Sequence, residues 1–203
     1  MNNLISPPGD VAGAILVGGR SQRFGKDKVL LPFQGKPLIA HLCGILEPLV
    51  REILIVGHPR PEFEALNLRV VEDLLPDAGP LGGIYTALKS TRASFVLVLA
   101  ADMPFLSPSL LEELLKSRQG RDAVIPRGPR DLEPLCAIYS RTCLDPVRRS
   151  LEKGANKIVR AIKGMNVLTP EIAVNGKEKN PFFNINFPED YEGLKAWDRR
   201  TGL

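Results

Sequence analysis

The sequence predicts a single α/β domain, residues 1–203, with a mostly parallel sheet covered on both faces. Two observations carry this. Short apolar runs alternate with segments whose apolar residues recur at helical spacing, the order that builds layered α/β domains. The runs are also nearly continuous in apolar character, as strands buried on both faces are. A chain of 203 residues is long enough for one domain with a substantial core.

The first run, Val11–Val17, ends in glycines and reads as a buried parallel strand. Pro37 falls where a first helical turn tolerates it, and Leu38, Leu42, Ile45, Leu46 and Leu49 then share one helical face. Glu52–Val56 and Leu68–Val71 read as strands, and Leu81–Lys89 as a helix that starts at the turn Gly79-Pro-Leu-Gly-Gly83. Ser94–Ala101 is the clearest central strand. Ser107 offers an N-cap and Pro108 a first helical residue, before an apolar stripe of Leu110, Leu111, Leu114 and Leu115. Beyond Gln119 the pattern is less regular. Asp122–Pro126 and Pro134–Tyr139 read as strands, Leu144–Glu152 and Ala155–Ile162 as helices. Pro188–Trp197 reads as a closing helix with Glu189 and Asp190 in its first turn. Arg127-Gly-Pro-Arg130 and Asn175–Pro181 read as mobile loops.

Composition narrows the classes. Hydrophobic content of 44% and charged content of 25% are those of a soluble globular protein. A net charge of +4 suits small anionic substrates but falls short of the dense basic stripe of a nucleic-acid binder. Cys43, Cys136 and Cys143 are odd in number and lack C-x-x-C spacing, so they read as reduced thiols of a cytoplasmic protein, not as a disulfide framework or zinc site. The first residues lack the charged and apolar regions of a signal peptide, and no apolar run approaches membrane-spanning length.

The most informative segment is Ala14–Lys28, an apolar strand running into a loop of glycines and basic residues. Gly18, Gly19 and Gly25 let main-chain N–H groups approach an anion, and Arg20, Arg23, Lys26 and Lys28 add positive charge. Such a loop suits a polyphosphate. It is neither G-x-x-x-x-G-K-[ST] nor G-x-G-x-x-G. The loop, Asp73 and Asp102 each follow an apolar strand. In parallel sheets ligands bind beyond the carboxyl ends of strands, so topology gathers these residues at one edge.

The segment G-G-R-S-Q-R-F-G-K-D-K resembles the signature of nucleotidyltransferases that cap a phosphorylated acceptor, and among them the molybdenum cofactor guanylyltransferase family. Glu72-Asp73, Gly79-Pro-Leu-Gly-Gly83, Asp102-Met-Pro-Phe105 and Asn184-Ile-Asn-Phe-Pro-Glu-Asp190 match further family segments in order, over nearly the whole chain. The resemblance implies a Rossmann-like three-layer α/β/α nucleotidyltransferase fold with a mostly parallel mixed sheet. A nucleotide-binding half would span about 11–118 and an acceptor-binding half about 119–197. It also implies transfer of GMP from GTP to the phosphate of molybdopterin, with Mg2+ as the metal. Arg23, Lys28 and Asp102 match the catalytic positions, and Asp102 the metal ligand. Leu16, Val17, Gly18, Gly19, Asp73 and Gly82 match nucleotide-binding positions along with Lys28 and Asp102. Asn184 and Asn186 match the acceptor-binding segment. Transient contacts with cofactor-synthesis or recipient enzymes would follow, without nucleic acid or membrane.

The residue chemistry agrees with these roles. Magnesium needs only one or two carboxylates when phosphates and waters complete its shell. The Asp73 carboxylate can accept from ribose hydroxyls or from guanine N–H groups. On an extended segment Asn184 and Asn186 point to one face while Ile185 points to the core. His41 and His58 read as structural, because an acceptor phosphate is already largely dianionic at neutral pH and needs no base. Gly18 resembles the guanylyl branch, where the cytidylyl branch carries alanine. Departures occur at Val56, where an asparagine is usual after the second strand, at Phe24 in place of methionine, and at Phe187 in place of threonine. Cytidylyl transfer to the same cofactor is the nearest alternative reading. A non-catalytic nucleotide-binding regulatory protein of the same fold is the other, and intact Lys28, Asp73 and Asp102 speak against it.

Overall fold

In chain order the strands are β1 (Val11–Val17), β2 (Pro32–Phe33), β3 (Lys36–Pro37), β4 (Ile53–Gly57), β5 (Arg69–Val71), β6 (Phe95–Ala100), β7 (Ala123–Val124), β8 (Cys136–Ser140) and β9 (Val167–Leu168). The helices are α1 (Leu38–Leu46), α2 (Pro61–Glu64), α3 (Gly79–Ser90), α4 (Pro108–Lys116), α5 (Leu144–Glu152), α6 (Ile158–Ala161) and α7 (Pro188–Thr201). The computed structural model describes residues 9–18, 28–65, 67–154, 157–173 and 179–201.

Seven strands form one sheet in the order β5-β4-β1-β6-β8-β7-β9, with β6 in the middle as its apolar run predicts. β5, β4, β1 and β6 are mutually parallel, while β8 pairs antiparallel with both β6 and β7. The sheet is therefore mixed and mostly parallel. Alternating residues of each strand feed two cores. Ile15 of β1, Leu97 and Leu99 of β6 and Ile138 of β8 pack with Leu42 and Leu46 of α1 and Leu111 and Leu114 of α4. Ala14, Val96, Val98 and Tyr139 face the other way, onto Ile84 and Leu88 of α3 and Val147 of α5. This is the three-layer α/β/α arrangement.

A third cluster pins α7 beneath the β2–β3 hairpin. Leu31, Phe33 and Leu38 meet Ile185, Tyr191 and Leu194 there, flanked by Phe105, Phe183 and Trp197. Asp190 fixes the start of α7, its Oδ2 accepting the N–H groups of Asn186 and Phe187 at 2.8 Å each. This side-chain reach back to the helix start satisfies donors that would otherwise be orphaned.

Several expectations need correction. Pro37 precedes α1 instead of opening it; its ψ of 143° is extended, because it closes the hairpin. The hairpin turns on Gln34 and Gly35, both at positive φ (50° and 75°), the geometry of a tight two-residue turn. Its strands of two residues are too short to show a period, as are α2 and β9. The helix expected over Ala155–Ile162 is the short α6, with residues 155 and 156 outside the described residues. The Arg127–Arg130 loop is braced by hydrogen bonds. Arg127 N–H donates to Pro170 O at 2.8 Å, Ile172 N–H donates to Arg127 O at 3.1 Å, and Gly128 N–H donates to Asp131 O at 2.9 Å. Among the described residues no helix is long and apolar enough to cross a membrane.

Candidate active site

The carboxyl ends of β5, β4, β1 and β6 lie along one edge of the sheet because the four strands are parallel. Asp73 stands two residues past β5, His58 directly past β4, Gly18 directly past β1 and Asp102 two residues past β6. Gly19, Arg20, Arg23, Gly25 and Lys26 lie outside the described residues, which resume at Lys28, the start of a 3-10 turn over Lys28–Leu30.

Asp102 is a half-buried carboxylate. Burial pushes its pKa up, and the ammonium of Lys28 partly opposes that shift. Its main chain is held from two directions. Ala101 N–H donates to Leu16 O of β1 at 3.2 Å, and Ile185 N–H donates to Asp102 O at 3.0 Å. The second bond draws Asn184 and Asn186 to the aspartate. Ile185 itself is fully buried, as period-two spacing predicts. Asn184 Nδ2 donates to Phe182 O at 3.0 Å, and Asn186 is exposed.

Asp73 lies at the far end of the edge. Its pKa is raised by burial against the opposing influence of His58 and of the Thr86 hydroxyl, and its Oδ1 is buried without a hydrogen-bond partner among the described residues. Thr86 Oγ1 also accepts the N–H of Leu74 at 3.1 Å, fixing the turn that carries Asp73. His58 Nδ1 sits 3.2 Å from Glu72 Oε1 on the surface beside it. β5 and β6 are three strand spacings apart, about 14 Å, which sets Asp73 and Asp102 at opposite ends of this edge.

The glycines differ in what demands them. A Cβ on Gly18 would meet nothing within 4 Å among the described residues. One on Gly82 would stand 2.7 Å from Ala78 Cβ, and one on Gly83 would stand 3.1 Å from Leu16 Cδ1. Packing of α3 therefore accounts for Gly82 and Gly83. Val17 is buried and Leu16 half-buried. Gly57, at φ 148°, is the position sequence reasoning missed: its Cβ would lie 2.4 Å from Val17 O. A glycine closing an apolar strand run was the available signal.

His41 packs against the β2–β3 hairpin. Its ring meets Phe33 edge-on at a centroid distance of 4.8 Å, and it bonds the Pro104 backbone while burial lowers its pKa.

A MobA-like NTP transferase domain matches residues 13–166, most of the chain and all of the strand edge just described. The chain belongs to this family. A Pyrococcus furiosus protein named probable molybdenum cofactor guanylyltransferase is 38% identical over 195 residues, covering 92% of this chain and 97% of its own. A Pelotomaculum thermopropionicum protein of the same name is 35% identical, covering 94% and 95%. Among solved structures, molybdopterin-guanine dinucleotide biosynthesis protein A of Archaeoglobus fulgidus superposes with a TM-score of 0.77 at 30% identity, covering 93% of this chain and 99% of that one. A nucleotidyl transferase of Methanothermobacter thermautotrophicus, at 22% identity and a TM-score of 0.74, shares the fold. Membership makes this chain a nucleotidyltransferase.

Proposed function

We propose that the protein transfers GMP from GTP to the phosphate of molybdopterin, releasing pyrophosphate and forming the guanine dinucleotide cofactor. The observation that supports this best is the hydrogen bond from Ile185 N–H to Asp102 O, which ties the segment of Asn184 and Asn186 to the candidate metal ligand. The nucleotide would lie along the ends of β5, β4 and β1, over residues 11–118. The acceptor would lie on residues 119–197, and Asp102 between them.

An acceptor phosphate oxygen forms a bond to the α-phosphorus of GTP as the bond to the bridging oxygen of the β-phosphate breaks, and pyrophosphate carries the electron pair away. The acceptor dianion gives up no proton, because its second pKa is near 6, so no histidine need act as base. Lys28 and Arg23 offset the charge developing on pyrophosphate. Among the described residues no group of three or more His, Cys, Asp or Glu is placed to hold a metal ion. Asp102 alone, half-buried with its pKa raised, fits Mg2+, an ion that takes one carboxylate and fills its shell with phosphate and water. When bound, magnesium supplies charge neutralisation between the two anions. Gly18 leaves room for the nucleotide, and Asp73 accepts donors from its ribose or base.

Incubating the protein with Mg2+ and molybdopterin, and with GTP or CTP separately, tests the reading by product mass. The guanine dinucleotide is expected. A cytosine product, or none from either nucleotide, overturns it. Replacing Asn184 and Asn186 together by alanine is expected to raise the KM for molybdopterin about tenfold or more, the scale of a lost polar contact, and to leave GTP affinity within twofold. An equal loss of GTP affinity in a folded variant would sink the division into two subsites.

A further inference from the structure

Glu133 is a half-buried carboxylate that the proposed reaction leaves without a role. Its backbone is held on both sides, its N–H donating to Pro126 O at 2.8 Å and its carbonyl accepting the Cys136 N–H at 3.0 Å. Burial and the neighbouring Asp131 both push its pKa up, and no cation or donor among the described residues pulls it back. An uncompensated carboxylate destabilises a fold, and a ligand can make use of it.

The surroundings say which ligand. Gly128 is the wall against which Glu133 stands: a Cβ there would come 2.6 Å from Glu133 Oε1 and 2.9 Å from Phe182 Cδ2. Phe182 O in turn holds the Asn184 amide, and Ile185 is bonded to Asp102. β8 runs antiparallel to β6, and Ala100 N–H donates to Leu135 O at 2.8 Å, so the Glu133–Leu135 segment reaches the same sheet edge as Asp102. It does so on the side of Asp102 away from Asp73.

We propose that Glu133 recognises the heterocycle of the acceptor, its two oxygens accepting the ring N–H and exocyclic NH2 of a 2-amino-4-oxo pyrimidine edge. This rests on the guanylyl-transfer reading above. A carboxylate offers two parallel acceptors, and an amidine-type edge offers two parallel donors. The same charge repels phosphate, so the acceptor enters with its ring on Glu133 and its phosphate toward Lys28 and Asp102. Guanine carries an equivalent edge, and Asp73 stands at the opposite, nucleotide end of the same row of strands.

Steady-state kinetics of Glu133→Gln test this. The expected result is a KM for molybdopterin raised about tenfold or more, as for a site whose paired donors lose an acceptor, with the KM for GTP unchanged and the melting temperature equal or higher. An unchanged KM for molybdopterin overturns the proposal. So does a joint rise of both KM values with earlier melting, which marks a structural role. If the wild-type protein makes no product, the reaction proposed above fails, and Glu133 is judged by equilibrium binding instead. Wild-type protein should then bind 6-hydroxymethylpterin more tightly than its 2-oxo lumazine counterpart, and Glu133→Gln should abolish the preference. Equal or absent binding of the two by wild-type protein overturns the inference independently.

Discussion

Asp102→Asn is expected to lower kcat at least about 10²–10³-fold, the scale on which removal of a preorganised charge partner acts, while leaving the protein as stable as before or more so. Asparagine keeps the shape and loses the charge that would hold magnesium beside Lys28. The stability half follows from linkage. Burial raises the folded-state pKa of Asp102 above its unfolded value, so the folded state holds the proton more tightly. Stability associated with this group is then present below the unfolded pKa and lost as pH rises through the folded one. At neutral pH the ionised side chain is a cost, which the neutral amide removes. Melting curves of the two proteins should therefore differ most near neutrality and converge as pH falls below the usual carboxylate range. Near-normal kcat in saturating magnesium removes Asp102 from the proposed chemistry. A variant that melts markedly earlier shows that the carboxylate is structural.

Gly57→Ala is the second large effect, and it acts through the backbone. Gly57 closes β4 at φ 148°, and an added Cβ would lie 2.4 Å from Val17 O and 3.1 Å from Val17 C. Neither atom is the end of a flexible side chain, so the ends of β1 and β4 must separate. Destabilisation of about 2–4 kcal/mol is expected, or a melting temperature lower by about 4–16 °C for a domain of this size. Val17 leads directly into the glycine-rich loop, so nucleotide affinity should fall even where the fold survives. Gly18→Ala is the internal control. Among the described residues nothing stands within 4 Å of its added Cβ, and its φ is outside the left-handed region, so its melting temperature should stay close to wild type. If Gly57→Ala melts with the wild-type protein, the close approach of β4 to β1 does not constrain the fold.

The long apolar runs determined most of the architecture. β1 and α5 have the limits their patterns predict, and β4, β6, α3 and α4 differ by a few residues, because five or more residues are enough to show a period of two or of 3.6. The same runs determined that Gly18, Asp73 and Asp102 share an edge, since residues that follow parallel strands emerge on one side. Position along that edge was decided only by the tertiary structure. Strand order puts Asp73 and Asp102 at opposite ends and brings the start of β8 beside β6, which gives Glu133 its place. The bond from Ile185 to Asp102, the contact of Gly57 with Val17 and the hairpin under α7 are likewise products of packing. Each joins residues distant in the chain, or strands of two residues. A local pattern records which face of an element is buried, and not which distant backbone that face will meet.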